Sequence, residues 1–483
     1  MSNLASMLLV TGVTIACASA LVVQHHRRQA QSEDDAVAAS PPLAASLLPK
    51  LDINPDEYVK LLGELMSESE HVQNFPPEFV PQESRVVAHL LKWLKPYSHV
   101  LQVEPIKFVD GRENLIIRYV SSNPNAKTIS FVGSHLDVVP ADRNTWTRDP
   151  FKLVQEGDEL YGRGTTDCLG HVALITLVMI QLAKNQPKLN NNVVSVFIAS
   201  EENDSIKGVG VDGLHRAGLL DSLKLGAMLW IDASDSMPCM GTAGALQWKV
   251  TATGKRCHSG FPQNTVNPIE LSQNAVTYLQ KHFYRHFPPH RLEKRYKFAT
   301  PSTFKPTIMT SAAGSLNQIP PSASISGDIR LTPFYDIVKV VEQMTKAAEE
   351  LSKDLSVLEN YRELGPSSRF HNVPGVTPKL EFEWLSQGDP HGFEGIACNI
   401  QSPSFHALNA AIQQVRGESI PFSINGSLPL VREMQRNGFD LQIIGFGLSK
   451  TYHADNEFCL LSDMIKGGEI VWNWIGMLDN GML

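Results

Sequence analysis

The sequence predicts an α/β fold in which a mostly parallel, helix-covered sheet is interrupted by a smaller α+β domain. Between about residues 51 and 241, short apolar strands alternate with helical segments. The pattern then changes to strands with alternating apolar and polar residues, as in a sheet with one exposed face. Helix-strand-helix character returns after about residue 389, so the second pattern is predicted to be an insertion into the first.

Each element follows from its periodicity and its flanking turn residues. The first part is predicted to contain strands 114–120, 128–132, 193–199 and 226–231, and an apolar helix 170–185. The middle part is predicted to contain strand 246–252, helix 267–282, strands 307–311 and 323–331, helix 335–352 and strand 379–384. That order is the split βαβ pattern of a small α+β domain. Helices 405–415, 428–436 and 462–478 and strand 440–444 complete the first domain.

Length and composition describe a globular protein. A chain of 483 residues allows two or three domains, and 42% hydrophobic with 19% charged residues permits a large core. Lys and Arg total 42 against 50 Asp and Glu, and no long basic run occurs, so no nucleic acid partner is expected. The six scattered cysteines contain no C-x-x-C pair, and neither a disulfide scaffold nor a thiolate zinc site is expected.

The first 28 residues predict a targeting or anchoring segment. Residues 4–23 are uncharged and long enough to span a bilayer, and two His and two Arg follow them. As an anchor this segment would leave the body in the cytosol. The small residues at 16–20 also fit a signal-peptidase site, and an organelle address and an unstructured leader are further interpretations. Residues 29–50 are predicted to be a flexible linker. The body is expected in the cytoplasm or an organelle, with membrane contact through the leader only.

Side chains that suit a metal ion follow several predicted strands, at the edge where open α/β sheets bind ligands. They are His135, Asp137, Asp167, Glu201, Glu202, Asp232 and the late His453. Imidazole and carboxylate ligands together favour zinc, with cobalt or manganese as alternatives.

Local spacing suggests roles for three of these residues. On a continuing strand Asp137 shares a face with His135 and could accept the second imidazole N–H, which fixes the tautomer of a ligating histidine. Asp167 precedes a helix, so it could cap that helix or bridge two metals through its two oxygens.

Glu201 and Glu202 are neighbours and would point to opposite faces of a strand. Both can serve one site only if the chain turns, which residues 203–205 permit. One glutamate as a metal ligand and the other as a proton carrier is the hypothesis. His258 stands alone, and composition assigns it no role.

Together these segments resemble the family of dinuclear zinc amidohydrolases and metallopeptidases that includes acetylornithine deacetylase, succinyl-diaminopimelate desuccinylase, aminoacylase and glutamate-type carboxypeptidases. The resemblance covers about residues 51–483. Its motifs are Gly-Ser-His-Leu-Asp-Val-Val-Pro at 133–140, Gly-Arg-Gly-Thr-Thr-Asp at 162–167, Glu201-Glu202 and His453. Segments 162–174, 196–203, 327–336 and 451–457 are most similar to the plant-type acetylornithine deacetylase branch.

The resemblance implies a zinc-peptidase-like catalytic domain (51–242 and 389–483) with an inserted ferredoxin-like lid domain (243–388) that in many relatives forms a homodimer contact. It implies two divalent metals, most consistent with zinc, and the following roles. His135, Asp167 and Asp232 bind one metal, Asp167, Glu202 and His453 bind the other, Glu201 is the general base, and Asp137 orients His135. Asp232 stands where much of the family carries Glu. The Asp side chain is shorter but still provides a carboxylate ligand.

The resemblance also implies residues that bind substrate. His258 would donate to the oxyanion in the partner subunit's site, Asn317 and Arg330 would hold the substrate carboxylate, and Gly426 and Ser427 would form a substrate-side loop. The expected reaction is hydrolysis of an N-acetylated amino acid, above all N-acetylornithine to ornithine and acetate in arginine biosynthesis. A broader aminoacylase or dipeptidase is the alternative. A catalytically silent, membrane-tethered binding protein is a third hypothesis, which the presence of Glu201 and all metal-type residues disfavours.

Overall fold

The computed structural model describes residues 48–203, 207–233, 235–359, 370–385, 392–426, 428 and 431–482. The predicted leader (1–28), all but the end of the predicted linker (29–50) and Ser427 lie outside these residues. Within the described ranges, no helix is both long enough and apolar enough to cross a membrane.

The secondary structure elements are numbered in chain order. The strands are β1 (Leu101–Val109), β2 (Arg112–Tyr119), β3 (Thr128–Val132), β4 (Val154–Glu156), β5 (Glu159–Tyr161), β6 (Asn192–Phe197), β7 (Ala227–Ile231), β8 (Cys239–Gly241), β9 (Gly244–Thr253), β10 (Cys257–His258), β11 (Thr303–Ser311), β12 (Gln318–Ile319), β13 (Ser322–Leu331), β14 (Lys379–Trp384), β15 (Phe422–Ser423), β16 (Asp440–Ile444) and β17 (Phe458–Leu460). The helices are α1 (Pro55–Met66), α2 (Ser84–Leu94), α3 (Leu169–Asn185), α4 (Val211–Arg216), α5 (Pro268–His286), α6 (Arg291–Arg295), α7 (Ile337–Lys353), α8 (Pro403–Arg416), α9 (Val431–Arg436) and α10 (Leu461–Met477).

The main sheet has eight strands in the order β1-β2-β6-β3-β7-β16-β8-β15. Its four central strands β6, β3, β7 and β16 are parallel, whereas β1, β2 and β8 each make antiparallel pairs. Strands β3 and β7 are buried at every residue, as expected for parallel strands covered on both faces. Because these strands run in the same direction, their carboxyl ends meet at one edge of the sheet.

A second sheet, with four antiparallel strands in the order β11-β13-β9-β14, interrupts the chain between β8 and β15. Burial alternates along β13, and helices α5 and α7 contribute to the core that covers one face. In that core Trp248 stacks on Phe304 with 4.3 Å between ring centroids. We call this part of the chain the insert (residues 243–388); those bounds stay a prediction.

The predicted fold class is confirmed: the sheet is mostly parallel, and the insert has the predicted strand-helix-strand-strand-helix-strand order. Strands β3, β14 and β16 begin and end where the sequence predicts. Two elements of the insert differ by four residues at one end: α5 ends four residues after the predicted helix 267–282, and β11 begins four residues before the predicted strand 307–311. Strand β11 contains Pro306 beside an irregularity in its pairing with β13. Proline is tolerated there because β11 is an edge strand.

Candidate metal centre

Backbone pairing that continues past the strands sets the spacing of the site. Beyond the end of β3, His135 still lies opposite Ile198, and the Leu136 amide donates to the Ile198 carbonyl at 2.9 Å. The turn between β3 and His135 needs glycine at Gly133, where φ is 98° and a Cβ would lie 2.8 Å from the Trp230 indole nitrogen. The imidazole is thereby placed over the edge of the sheet at a fixed position.

Asp167 lies between two histidines. His135 Nε2 is 2.9 Å from Asp167 Oδ1 and 3.6 Å from Asp232 Oδ1. On the other side, His453 Nε2 is 3.1 Å from Asp167 Oδ2 and 3.2 Å from Glu202 Oε2. Asp167 therefore does not cap helix α3, whose N-cap is Cys168. Its two oxygens face two separate groups of potential ligands, as a bridging carboxylate requires.

Asp137 supports the site differently from the sequence expectation. The nearest acceptor for His135 Nδ1 is the Asp137 carbonyl oxygen at 2.9 Å, while the carboxylate Oδ1 is 3.5 Å away. An N–H donated from Nδ1 leaves the Nε2 lone pair for a metal. The Asp137 carboxylate instead accepts from Asn74 Nδ2 at 2.7 Å and from the amides of Glu201 and Glu202 at 3.1 and 3.0 Å. Burial alone would raise the pKa of Asp137, but His135 and these donors lower it.

The two glutamates reach one cavity because the chain turns before them. Ser200 has a φ of 56°, and its amide donates to Glu83 Oε1 at 3.2 Å. Glu83 is itself held by Arg112, through two hydrogen bonds of 2.5 and 2.8 Å in a buried pair. This turn at Ser200 was not predicted. The sequence permitted a turn at 203–205, of which residues 204 and 205 lie outside the described ranges.

The electrostatics of the cluster call for a cation. Burial, followed by repulsion from Asp232, raises the pKa of Glu201 well above its usual value. Burial together with Asp167 raises the pKa of Glu202 to about 7, and burial raises that of Asp232 to about 6. Glu202 Oε1 is buried and has no hydrogen-bond partner among the described residues. Carboxylates this close together repel one another and destabilise the fold unless a cation or a proton neutralises them.

The available donor atoms fit a divalent metal. One ligand atom each from His135, Asp167 and Glu202 lies within 4.8 Å of the others, and the same holds for His135, Cys168 and Asp232. Imidazole nitrogen and carboxylate oxygen are ordinary zinc ligands. Cys168 was not expected near the site, since cysteine spacing carries no information about a contact made through the fold.

Glu457 is a second buried residue to which the sequence assigned no role. Its carboxylate accepts from the amides of Gly164, Thr166 and Asp167 and forms a 2.7 Å ion pair with Arg163. The segment that carries His453 is thereby tied to the segment that carries Asp167. Nearly three hundred residues separate the partners, so no local pattern could have indicated the contact.

A cavity of about 650 Å³ opens beside the cluster. Asp167, Glu201, Glu202, Asp232 and His453 line one part of it. A second part is apolar and includes Phe422, Ile424 and Leu428, and Gly426 of the predicted substrate-side loop also lies here.

The structure does not bring the predicted insert residues to this cavity: His258, Asn317 and Arg330 are absent from its described lining. His258 is exposed on β10 and accepts the Gly260 N–H at Nδ1 with a distance of 3.0 Å, which leaves Nε2 as the donor in the neutral ring. Asn317 is exposed near it, and Arg330 Nε donates to Asp328 Oδ2 at 2.7 Å. These side chains are available for contacts that this single chain does not make.

Comparison with known proteins adds a family and relatives. Residues 131–475 match the model of peptidase family M20/M25/M40. The chain is 46% identical over 436 residues to acetylornithine deacetylase from Arabidopsis thaliana, covering 88% of this chain and 96% of that protein. It is 44% identical to acetylornithine deacetylase from Dictyostelium discoideum, covering 89% and 98%. Its fold is similar to that of an M20 family metallo-carboxypeptidase from Sulfolobus solfataricus, with a TM-score of 0.61 at 16% identity, covering 89% of this chain and 100% of that one.

Proposed function

The chain belongs to peptidase family M20/M25/M40, and from that premise we propose that it hydrolyses N-acetylornithine to ornithine and acetate, a step of arginine biosynthesis. The geometric observation that carries the proposal is Asp167, whose two oxygens face His135 and His453 beside the buried Glu201. The substrate follows from the two acetylornithine deacetylases that match almost the whole described chain.

Two divalent metals, most consistent with zinc, are part of this proposal. His135, Asp167 and Asp232 would hold one, and Asp167, Glu202 and His453 the other. The distances of 2.9 to 3.6 Å between their donor atoms support this assignment. Bound zinc lowers the pKa of its water to about 7 and polarises a carbonyl oxygen. Cobalt, which accepts the same ligands, is the alternative.

Glu201 is the proposed proton carrier. It is buried at the cavity wall, and its amide is held by Asp137, so the carboxylate is kept beside the cluster. There it takes the proton of the attacking water and delivers it to the leaving amine.

The insert supplies the proposed substrate contacts. Arg330 can bind the α-carboxylate with two parallel hydrogen bonds, assisted by Asn317. Outside the insert, Gly426 and Ser427 are proposed to form a loop on the substrate side. His258 donates to the oxyanion, where such donors contribute a large share of the rate. These side chains require either closure of the insert or a second copy of the chain.

We favour a homodimer in which His258 of the partner subunit completes each site. Among the described strands, the edge strand β11 pairs only with β13, and its Ile308 and Met309 are 60% and 50% exposed. An exposed apolar edge strand is a template for pairing with another chain. A second copy is the occupant we propose, because the same insert carries the exposed His258 that one chain does not bring to its own cavity.

The apolar wall of the cavity favours one second candidate, a broader aminoacylase or dipeptidase. Turnover by purified, zinc-loaded protein separates the two. We expect N-acetylornithine to have a higher kcat/KM than N-acetylmethionine or N-succinyl-diaminopimelate. A tenfold preference for N-acetylmethionine, about 1.4 kcal/mol, would replace the deacetylase assignment with an aminoacylase.

A further inference from the structure

The cavity beside the metal cluster has an acidic lining. Its described lining contains no Lys or Arg but five carboxylates, those of Asp167, Glu201, Glu202, Asp232 and Asp235. Residues 234, 427, 429 and 430, which the structure does not describe, are Ser, Ser, Pro and Leu and add no charge. Four of the five carboxylates have roles in the proposed function. Asp235 has none.

The backbone holds Asp235 in a defined position at the cavity wall. Its Oδ1 accepts the Ser449 amide N–H at 3.0 Å, and its own amide donates to the Gly447 carbonyl at 3.0 Å. Its φ of 63° lies in the left-handed region, where Asp and Asn are among the more tolerated residues. In the part of the chain that the structure describes, Oδ2 has no hydrogen-bond or ion-pair partner. One carboxylate oxygen is therefore fixed and the other remains available to a ligand.

The position of Asp235 suits the far end of a substrate side chain. It lies three residues after Asp232, so the two Cα atoms are at most about 11 Å apart. The same cavity is lined by the apolar side chains of Phe422, Ile424 and Leu428, which can contact the methylenes of a substrate side chain. An ornithine side chain has the matching chemistry, with three methylenes followed by an ammonium group.

We infer that Asp235 binds the side-chain ammonium of an N-acylated diamino acid and thereby sets a preference for cationic substrates over neutral ones of the same length. The inference rests on the proposed function and deepens it. Asp235 is exposed to solvent, so water screens part of its attraction for a cation. The proposed metals would balance the carboxylates of the cluster, which leaves the charge of Asp235 to attract a substrate cation.

Asp235→Asn is the informative variant because Asn keeps the oxygen that accepts the Ser449 N–H and tolerates the positive φ. The measurement is kcat/KM for N-acetylornithine and for N-acetylnorvaline, which has the same carbon skeleton without the ammonium. The ratio of the two should fall about fivefold or more, mainly through KM for N-acetylornithine, the scale for losing a partly exposed charge pair. Preference for N-acetylglutamate relative to N-acetylornithine should rise in the same variant.

Two further variants keep the test decisive. Asp235→Gly removes the carboxylate and adopts the positive φ without strain, so it should lower the ratio as Asn does even if one variant folds poorly. Asp110→Asn, which removes the same charge from the fully exposed β1–β2 hairpin, should leave the ratio unchanged. If the wild-type protein prefers N-acetylornithine and both Asp235 variants keep that preference, the inference is wrong while the proposed function stands. If the wild-type protein hydrolyses no N-acetylated amino acid, both are wrong.

Discussion

The two sides of the proposed site differ in how completely one chain assembles them. At the strand ends, His135, Asp167 and Glu202 are buried or nearly so, and their ligand atoms lie within 4.8 Å of one another. In the insert, His258 and Asn317 are exposed, and Arg330 contacts Asp328. The strand-end side is therefore preorganised for metal, whereas the insert residues, in the proposed function, need a further conformational or assembly step before they contact substrate.

The difference has a structural cause. His135, Glu202 and Asp232 follow the neighbouring parallel strands β3, β6 and β7, so the register of the main sheet fixes their separation. Hydrogen bonds that the buried Asp137 carboxylate accepts from the amides of Glu201 and Glu202 hold the chain after β6 in place. Asp167 and His453 lie in loops outside that sheet. His258 and Arg330 belong to two other sheets and Asn317 to a turn, and among the described residues no strand of those two sheets pairs with a strand of the main sheet. Substitutions on the two sides should consequently separate metal binding from substrate binding.

The largest effect is expected at Glu201. Glu201→Gln should retain metal and fold but lose about 10²–10⁴ in kcat, because it removes the proton carrier and little volume. Glu202→Gln, the matched variant at the next residue, should instead lower metal content. Elemental analysis and steady-state kinetics of both proteins measure this. Equal metal loss in both variants would show that the division of roles between them is wrong.

The next largest effect is expected at Glu457. Glu457→Gln leaves Arg163 buried without its carboxylate partner and should destabilise the protein by about 3–5 kcal/mol, measured by denaturant unfolding with metal removed. Glu156→Gln is the control, since Arg148–Glu156 has the same 2.7 Å distance but is exposed to solvent. It should cost at most about 1 kcal/mol. Similar losses of unfolding free energy in the two variants would show that burial does not determine how much the ion pair stabilises the protein.

On the insert side, Arg330→Ala should raise KM for N-acetylornithine and lower kcat/KM. The lost transition-state stabilisation should be about 2–5 kcal/mol, the range for truncating one partner of a buried charge pair. Metal content should not change, since the residue lies outside the cluster. Asp328→Asn, which removes the present partner of Arg330, should not raise KM. A loss of metal in Arg330→Ala would contradict the separation of the two sides.

The smallest expected change is a partial recovery of activity in mixed subunits, which tests the dimer. Glu201→Gln and His258→Ala proteins should each be nearly inactive, but a mixture allowed to exchange subunits should recover about one quarter of the wild-type activity, because half of the dimers then contain one intact site. No recovery after demonstrated exchange would place His258 in the site of its own chain. A monomer by light scattering would remove the dimer from the proposal.

The sequence predicted the features that depend on neighbouring residues along the chain. The apolar run 128–132 is a strand with the expected ends, and the polar residues that follow the strands meet at one edge because parallel strands align. Contacts between distant segments were missed: Glu457 reaches Asp167 across 290 residues and Asn74 reaches Asp137 across 63. The turn at Ser200 was missed because it is fixed by a hydrogen bond to Glu83, which no pattern near the glutamates reveals. The roles assigned to the site residues stay predictions.

The most direct test of the central claim is a zinc titration of chelator-treated protein, followed by ornithine release from N-acetylornithine. The stripped protein should be folded and inactive, and activity should rise with added zinc and level off at about two ions per chain, as expected for a site with two metals. Full activity in the stripped protein, or zinc-saturated protein that releases no ornithine, would contradict the account.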